Sequence, residues 1–192
     1  YHGIKRSESG EEKVFVRDLD RVVNLGSPKL SYPYLSINSN IFMVSIRPEY
    51  HTELFPDSIL RTESPEDFVE NQPHRNSISK IFVSRSLERD LRSGDVIVFY
   101  RIGDRLPKIH TSVITTIGVV ENVASEIKDE TDLIHKCRGR SVFSDAELIT
   151  EWNRLPNFRP FVVNFLYVYS LPKRLTLEKL LELGVVAGID KA

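Results

Sequence analysis

The sequence predicts an α+β fold, a small β-barrel of mixed and antiparallel strands with flanking helices, on three observations. Residues 78–123 hold three runs rich in Val, Ile, Phe and Thr (Lys80 to Ser84, Val96 to Arg101, Ser112 to Val120) separated by Gly, Asp and Pro breakers, the composition of strands joined by turns. Residues 161–169, FVVNFLYVY, form the longest β-type run, and nine residues of that character suit a central strand. Around these lie two helix starts with capping signals, Ser144-Asp145-Ala146-Glu147 and Thr176, each placing a hydroxyl where it accepts the first free N–H groups of a helix.

Composition sets the bounds. A chain of 192 residues with 41% hydrophobic content can bury a core without staples. One cysteine, Cys137, excludes an internal disulfide framework and a multi-cysteine metal site, and fits a reducing cytoplasm. No apolar run reaches the length of a membrane span and no signal-peptide pattern opens the chain, so a cytoplasmic protein without membrane association is expected. The chain starts at Tyr1, as a processed protein or a segment of a longer one would. A net charge of −1 speaks against holding nucleic acid by bulk electrostatics and leaves room for a local pocket. Basic residues gather in and beside the central strands, acidic ones at 63–70 and 126–132.

In chain order, residues 1–17 pair a short apolar start, a Ser-Glu-Ser-Gly turn and Val14-Phe15-Val16, the pattern of a hairpin. Asn24 to Pro33 carries Gly, Ser and two Pro and reads as a linker. Ile41 to Arg47 is apolar on both faces, hence a buried strand, ended by Pro48. Tyr50, Leu54 and Phe55 fit one or two helical turns stopped by Pro56. Ser64-Pro65-Glu66-Asp67 starts a short helix, and residues 71–76 form a polar loop. The three central strands then form an antiparallel meander, with Ser86 capping a helical turn and Ser93-Gly94-Asp95 making a tight turn. A charged loop covers 126–132, a helix runs from Ser144 to about Trp152, and Leu177, Leu180 and Leu181 line a last helix ended at Gly184.

The Gly94-Asp95 turn feeding an apolar strand that ends in Phe99-Tyr100, followed by a Thr115-Thr116-Ile117-Gly118-Val119-Val120-Glu121 strand, resembles the PUA-like superfamily, especially its EVE and ASCH branches, over roughly residues 41–188. The resemblance implies a small barrel flanked by helices, spanning 34–192 here, that binds nucleic acid, RNA or DNA, in some branches through an extruded or modified base. The first seventeen residues resemble the terminal strand pair of GNAT-type acetyltransferases, which implies that residues 1–23 are the tail of an acetyltransferase domain fused ahead of the barrel; the alternative is an added N-terminal hairpin. No acetyl-CoA pyrophosphate loop is present.

Three constellations carry candidate chemistry. The polar lip of the barrel offers Arg75, Asn76, Ser84, Arg85, Tyr100 and Arg101, that is, ring and guanidinium planes for stacking with amide and hydroxyl groups for a base edge. The resemblance places its ligand pocket on Asn76, Ser84, Tyr100 and Thr115. Where the strand at Arg47 turns into a helix, Arg47, Tyr50 and His51 suit a phosphate or base contact. Some ASCH-type proteins are amidohydrolases on acylated bases, using a lysine with hydroxyl and carboxylate partners; Lys80, Thr115, Thr116 and Glu121 are the counterparts, although the Gly-x-Lys-x-x-Glu-x-Arg signature is missing. Cys137 has basic neighbours but no base partner, and Trp152, the sole tryptophan, reads as a packing residue. His2, His74, His110 and His135 show no metal-ligand spacing, and no cofactor motif is found. The expected function is nucleic-acid binding by a module of a larger protein; a base-modifying or amide-hydrolysing enzyme, and an interaction appendage of an acetyltransferase, are the alternatives.

Overall fold

The computed structural model describes residues 3–7, 10–14, 22–60 and 72–186. Strand β1 (Gly3–Ser7) pairs antiparallel with β2 (Gly10–Val14), Ser7 opposite Gly10, as a two-stranded hairpin. Phe15 and Val16 of the expected hairpin, and the helix expected at Ser64, lie outside the described residues. The chain continues through helix α1 (Pro28–Ser31), strand β3 (Ile41–Ile46), helix α2 (Pro48–Leu54), a 3-10 turn (Pro56–Ser58), helix α3 (Pro73–Asn76) and strands β4 (Ser79–Ser84) and β5 (Val96–Arg101). Helix α4 (Lys108–Thr111), strand β6 (Val113–Ala124), helices α5 (Glu130–Cys137) and α6 (Asp145–Asn153), strand β7 (Phe161–Ser170) and helix α7 (Leu177–Glu182) complete it. Five strands form one mixed sheet in the order β3-β5-β6-β7-β4, with β3 parallel to β5 and the other neighbours antiparallel.

The sheet wraps around Phe55, Phe99 and Phe165, whose rings pack at centroid distances of 4.6 Å (Phe55–Phe99) and 4.9 Å (Phe99–Phe165). On its other face, Ile81 and Val162 pack against Leu133 and Cys137 of α5 and Leu148 and Trp152 of α6. Burial of this aromatic cluster contributes strongly to the packing of the sheet, since each such ring removes a large apolar area from water. Gly118 on β6 lets the strand lie directly on that cluster, because a Cβ there would sit 2.7 Å from the Phe165 ring.

Several expectations are corrected. The barrel is not closed: β3 and β4 are the sheet edges, and no ladder joins them among the described residues. The meander is only half present, as β5 and β6 pair but β4 crosses to the far edge and pairs with β7. Strand β3 is an edge rather than a buried strand, with Ile41 and Met43 exposed. The stretch read as a linker is docked: Ser93 Oγ donates to the Leu25 carbonyl (2.8 Å), Tyr32 Oη donates to that of Tyr167 (2.8 Å), and Lys29 pairs with Glu121. The polar loop before β4 contains α3, the residues after Ser86 form no helical turn, and the charged loop at 126–132 ends where the Asp129 side chain caps α5.

Other expectations hold. Gly94 turns with φ 89° into β5, and β7 is hydrogen-bonded on both sides. Ser144 and Glu147 form a reciprocal capping box at α6. Thr176 caps α7, which ends at Gly184 with φ 66°. No helix among the described residues is long and apolar enough to cross a membrane.

Candidate functional site

Lys80 is the second residue of β4 and shares the inner face of the sheet with Phe82, two residues on. Its side chain is 2% exposed. The ammonium donates to the carbonyls of His74 (2.7 Å) and Arg75 (3.0 Å), the end of α3 that turns into β4. Burial holds the Lys80 pKa down to about 8; the neighbouring Arg75 charge adds to the effect and Asp57 opposes it. The amine is therefore largely charged at neutral pH and half neutral one unit higher.

Lys80 opens into a cleft of about 230 Å³ that Tyr32, Asp57, Asn76 and Tyr167 also line. Tyr32 comes from the docked segment after α1, Asp57 from the 3-10 turn and Tyr167 from β7, so three distant parts of the chain converge on one amine. Burial and the Asp57 carboxylate, to which it is hydrogen-bonded, raise the Tyr167 phenol above its ordinary value. Asn76 stands exposed at the rim. Arg75 is turned away from solvent and held by Glu53 at 3.1 Å, and Glu53 also faces His74 at 3.5 Å. Burial pulls the His74 pKa below its usual value against the pull of that carboxylate.

Behind the cleft runs a row of buried hydroxyls. The β5–β6 register skips Thr115, and this bulge turns both Thr115 and Thr116 inward, each 0% exposed. His51 Nε2 lies 2.8 Å from Thr115 Oγ1, and Thr116 Oγ1 donates to Thr115 Oγ1 at 3.2 Å. Ser58 Oγ is 2.8 Å from both Thr116 Oγ1 and Ser170 Oγ, and Ser170 Oγ donates to the Asp57 carbonyl at 3.0 Å. Arg174 Nη2 fixes the turn by donating to the carbonyls of Ser58 (2.7 Å) and Ile59 (2.8 Å). Burial, with the charges of Arg101 and Arg174, drops the His51 pKa to about 3, so the imidazole is neutral and serves as a polar member of the core.

The expected site residues therefore separate. Arg75 and Asn76 belong to the Lys80 cleft. Thr115 and Arg101 are buried in the interior, where Arg101 reaches Asp104 at 3.5 Å. Tyr100 alternates with Phe99 onto the other face of β5 and is half-buried there. Arg47, Ser84 and Arg85 sit on the open seam between β3 and β4. Of the hydrolase set, Lys80 and the two threonines share the interior, but Glu121 bulges from β6 toward Lys29 and Ser79; the carboxylate beside Lys80 is Asp57. Cys137 is buried and its thiol is pushed up to about 12, an inert packing group. No cluster of three or more metal-ligating side chains occurs among the described residues. Sequence reasoning missed Tyr32, Asp57, Ser58, Tyr167 and Arg174; only Asp57, directly after the Pro56 helix stop, had a local signal.

No family model matches the chain, and no curated protein matches it. Among solved structures, the crystal structure of a mutant ZmASCH protein from Zymomonas mobilis is similar, at 12% sequence identity and a TM-score of 0.48, covering 81% of this chain and 87% of that one.

Proposed function

We propose that this chain is a nucleic-acid-binding module of the PUA-like kind, related to the EVE and ASCH branches, that receives an extruded or modified base in the Lys80 cleft and serves as the recognition part of a larger protein. The observation that carries the reading is the cleft itself: a buried amine at its base, the rings of Tyr32 and Tyr167 on its walls and the Asn76 amide at its rim. Aromatic planes hold a flat ring by stacking, and an amide and an ammonium address acceptors on its edge. With a net charge of −1, affinity must come from this pocket more than from phosphate contacts. The hairpin β1–β2 fits the tail of a preceding acetyltransferase domain; a Gly-rich acetyl-CoA loop upstream of Tyr1 in the full gene is the check.

Fluorescence-anisotropy titration with short single-stranded and duplex RNA and DNA, unmodified and base-modified, tests the reading. Saturable binding with a shallow salt dependence, weakened about tenfold or more in Asn76→Ala and Lys80→Met, is the expected result. No binding to any oligonucleotide at low salt would sink it.

The lowered pKa of Lys80 favours a second reading, hydrolysis of an amide on a base. A neutral Lys80 keeps two N–H groups for the two carbonyls it already meets and has a lone pair left for a proton. It would take that proton from water as the hydroxide adds to the amide carbon, and return it to the leaving nitrogen. Product release from an N-acylated nucleoside, lost in Lys80→Met, separates this enzyme from a reader that binds without turnover.

A further inference from the structure

We infer that the open seam between β3 and β4 is a slot for one extended peptide segment of a partner protein, which enters as a sixth strand and carries apolar residues followed by a carboxylate. The seam shares no lining residue with the Lys80 cleft, and the inference does not rest on that cleft being a base site.

Main-chain hydrogen bonding identifies the occupant as a strand. In the parallel ladder, Val96 N–H donates to the Asn40 carbonyl and Ile102 N–H to that of Ile46, both at 2.9 Å. Phe42, Val44 and Ile46 therefore direct their main-chain groups to β5, and Ile41, Met43 and Ser45 turn theirs to the seam. On the far side, Tyr167 N–H donates to the Ile78 carbonyl at 2.8 Å. Lys80, Phe82 and Ser84 thus bond to β7, while Ile81 and Val83 face the seam. Those five seam-facing residues have no main-chain hydrogen bond across the seam among the described residues. Strand β3 also lacks the devices that shield an edge: residues 41–46 contain no charge and no proline, their register on β5 is unbroken, and Ile41 and Met43 are exposed.

A slot with donors and acceptors on both walls is filled by a strand that is free on both of its own edges. Every strand of the five-stranded sheet already has at least one neighbour, so that sheet in a second copy cannot supply the occupant. A lone linear segment can.

The side chains around the seam set the sequence it would carry. An inward residue of the added strand meets Ile46, Leu54 and Phe82 in a cavity of about 210 Å³; an outward neighbour meets Val83 and Phe143, whose ring lies 4.7 Å from that of Tyr50. Successive apolar residues are therefore both accommodated. At the mouth, Glu151 serves Arg85 and Arg154, each at 3.2 Å, and the Arg154 side chain is 54% exposed. One carboxylate for two guanidiniums leaves the group a negative charge short, which a ligand carboxylate beside Arg154 supplies.

Hydrogen exchange read by NMR, with acetyl-Ser-Thr-Leu-Val-Glu-Ser-amide as the probe, tests the assignment. At saturation the probe should slow exchange about tenfold or more at the Met43, Ser45, Ile81 and Val83 amides, and change Val44 and Phe82, already bonded, little. N-methylation of the probe at Thr, Leu, Val or Glu, one nitrogen at a time, should weaken binding about fivefold or more at every position, because a strand in the slot is bonded on both edges. A probe with Lys in place of Glu should bind more weakly, and Arg154→Ala should remove that preference. Ser45→Pro deletes one seam-facing N–H without touching the β5 ladder; it should lower affinity about tenfold, and Ser45→Ala should not. Lys80→Met should leave the probe bound. No binding at millimolar probe, unchanged exchange at the four amides, loss at alternate nitrogens only, or displacement of the probe by an oligonucleotide each overturns the assignment, as does a dimer that the probe cannot dissociate. The exchange pattern of the wild type decides it even where Ser45→Pro weakens the fold. Failure here leaves the Lys80 cleft untouched, because its own test reads Asn76→Ala and Lys80→Met.

Discussion

Strand β4 has a buried cation at its start and a partly buried one just past its end, and the two are managed in opposite ways. Lys80, 2% exposed, is held by two main-chain carbonyls, and burial pushes its pKa down to about 8. Arg85, with a side chain 14% exposed, is paired with Glu151 and with a main-chain carbonyl, and its Nη2 has no hydrogen-bond partner among the described residues. An ammonium sheds its proton when poorly solvated, whereas a guanidinium is a fixed cation with a planar set of donors. One end of the strand is thus a titratable group and the other a permanent donor, and a ligand at each would respond to different conditions.

The largest expected effect that could break this contrast is on stability. Arg85→Met strips a partly buried carboxylate and a carbonyl of their partner and should cost about 2–3 kcal/mol in urea denaturation. Lys80→Met also orphans two carbonyls, but it removes a cation that the folded state disfavours, so a net cost of about 1 kcal/mol is expected. Equal costs would mean that Lys80 is as well compensated as Arg85, and the contrast would fail.

The pH dependence sharpens it. Between about pH 8 and 10.5 the unfolded chain still holds the lysine proton while the folded chain has released it. The unfolded state then binds more protons, so stability rises with pH through that window. Relative to Lys80→Met, the wild type should gain about 1–3 kcal/mol between roughly pH 7.5 and 10.5. The same comparison between the wild type and Arg85→Met should show no such slope. A flat difference for Lys80→Met would place its pKa near the ordinary lysine value.

These two ends were unequally legible in the sequence. Local signals gave β5, β6 and β7 and the caps of α6 and α7, because turn chemistry, β-branched runs and a Ser-x-x-Glu box act within a few residues. Pairing did not follow: β4 and β5 are neighbours along the chain yet lie at opposite sides of the sheet, and nothing local in residues 79–84 selects β7. A run with apolar residues on both faces, such as Ile41 to Ile46, cannot distinguish an edge from a centre, since both faces read alike. Arg75 and Asn76 were legible as residues leading into β4. Tyr32 and Tyr167 meet at the same cleft although they stand 135 positions apart, as their hydrogen bond records. The inward pair Thr115 and Thr116 depends on a bulge that strand alternation forbids. Helix α5 was missed although Leu133 and Cys137, both buried, stand four apart as a helix requires.

The smallest effect isolates the seam. Helix α6 carries Glu151 to Arg85 and runs up to Arg154 at its C-terminal cap, and it is started by Ser144, whose main-chain N–H donates to Glu147 Oε2 at 2.8 Å while its Oγ accepts from the Glu147 N–H at 3.3 Å. Ser144→Ala removes the second of these and should cost about 1 kcal/mol, with fraying confined to the helix that positions the carboxylate. Because a frayed α6 holds Glu151 less firmly, the cost of Arg85→Met in urea denaturation should be smaller by roughly 0.5 kcal/mol in the Ser144→Ala background than in the wild type. Oligonucleotide binding at the Lys80 cleft should not change, since no residue of α6 lines it. A loss of oligonucleotide binding at the Lys80 cleft would show that α6 supports the sheet as a whole, and that the two ends of β4 are coupled through it.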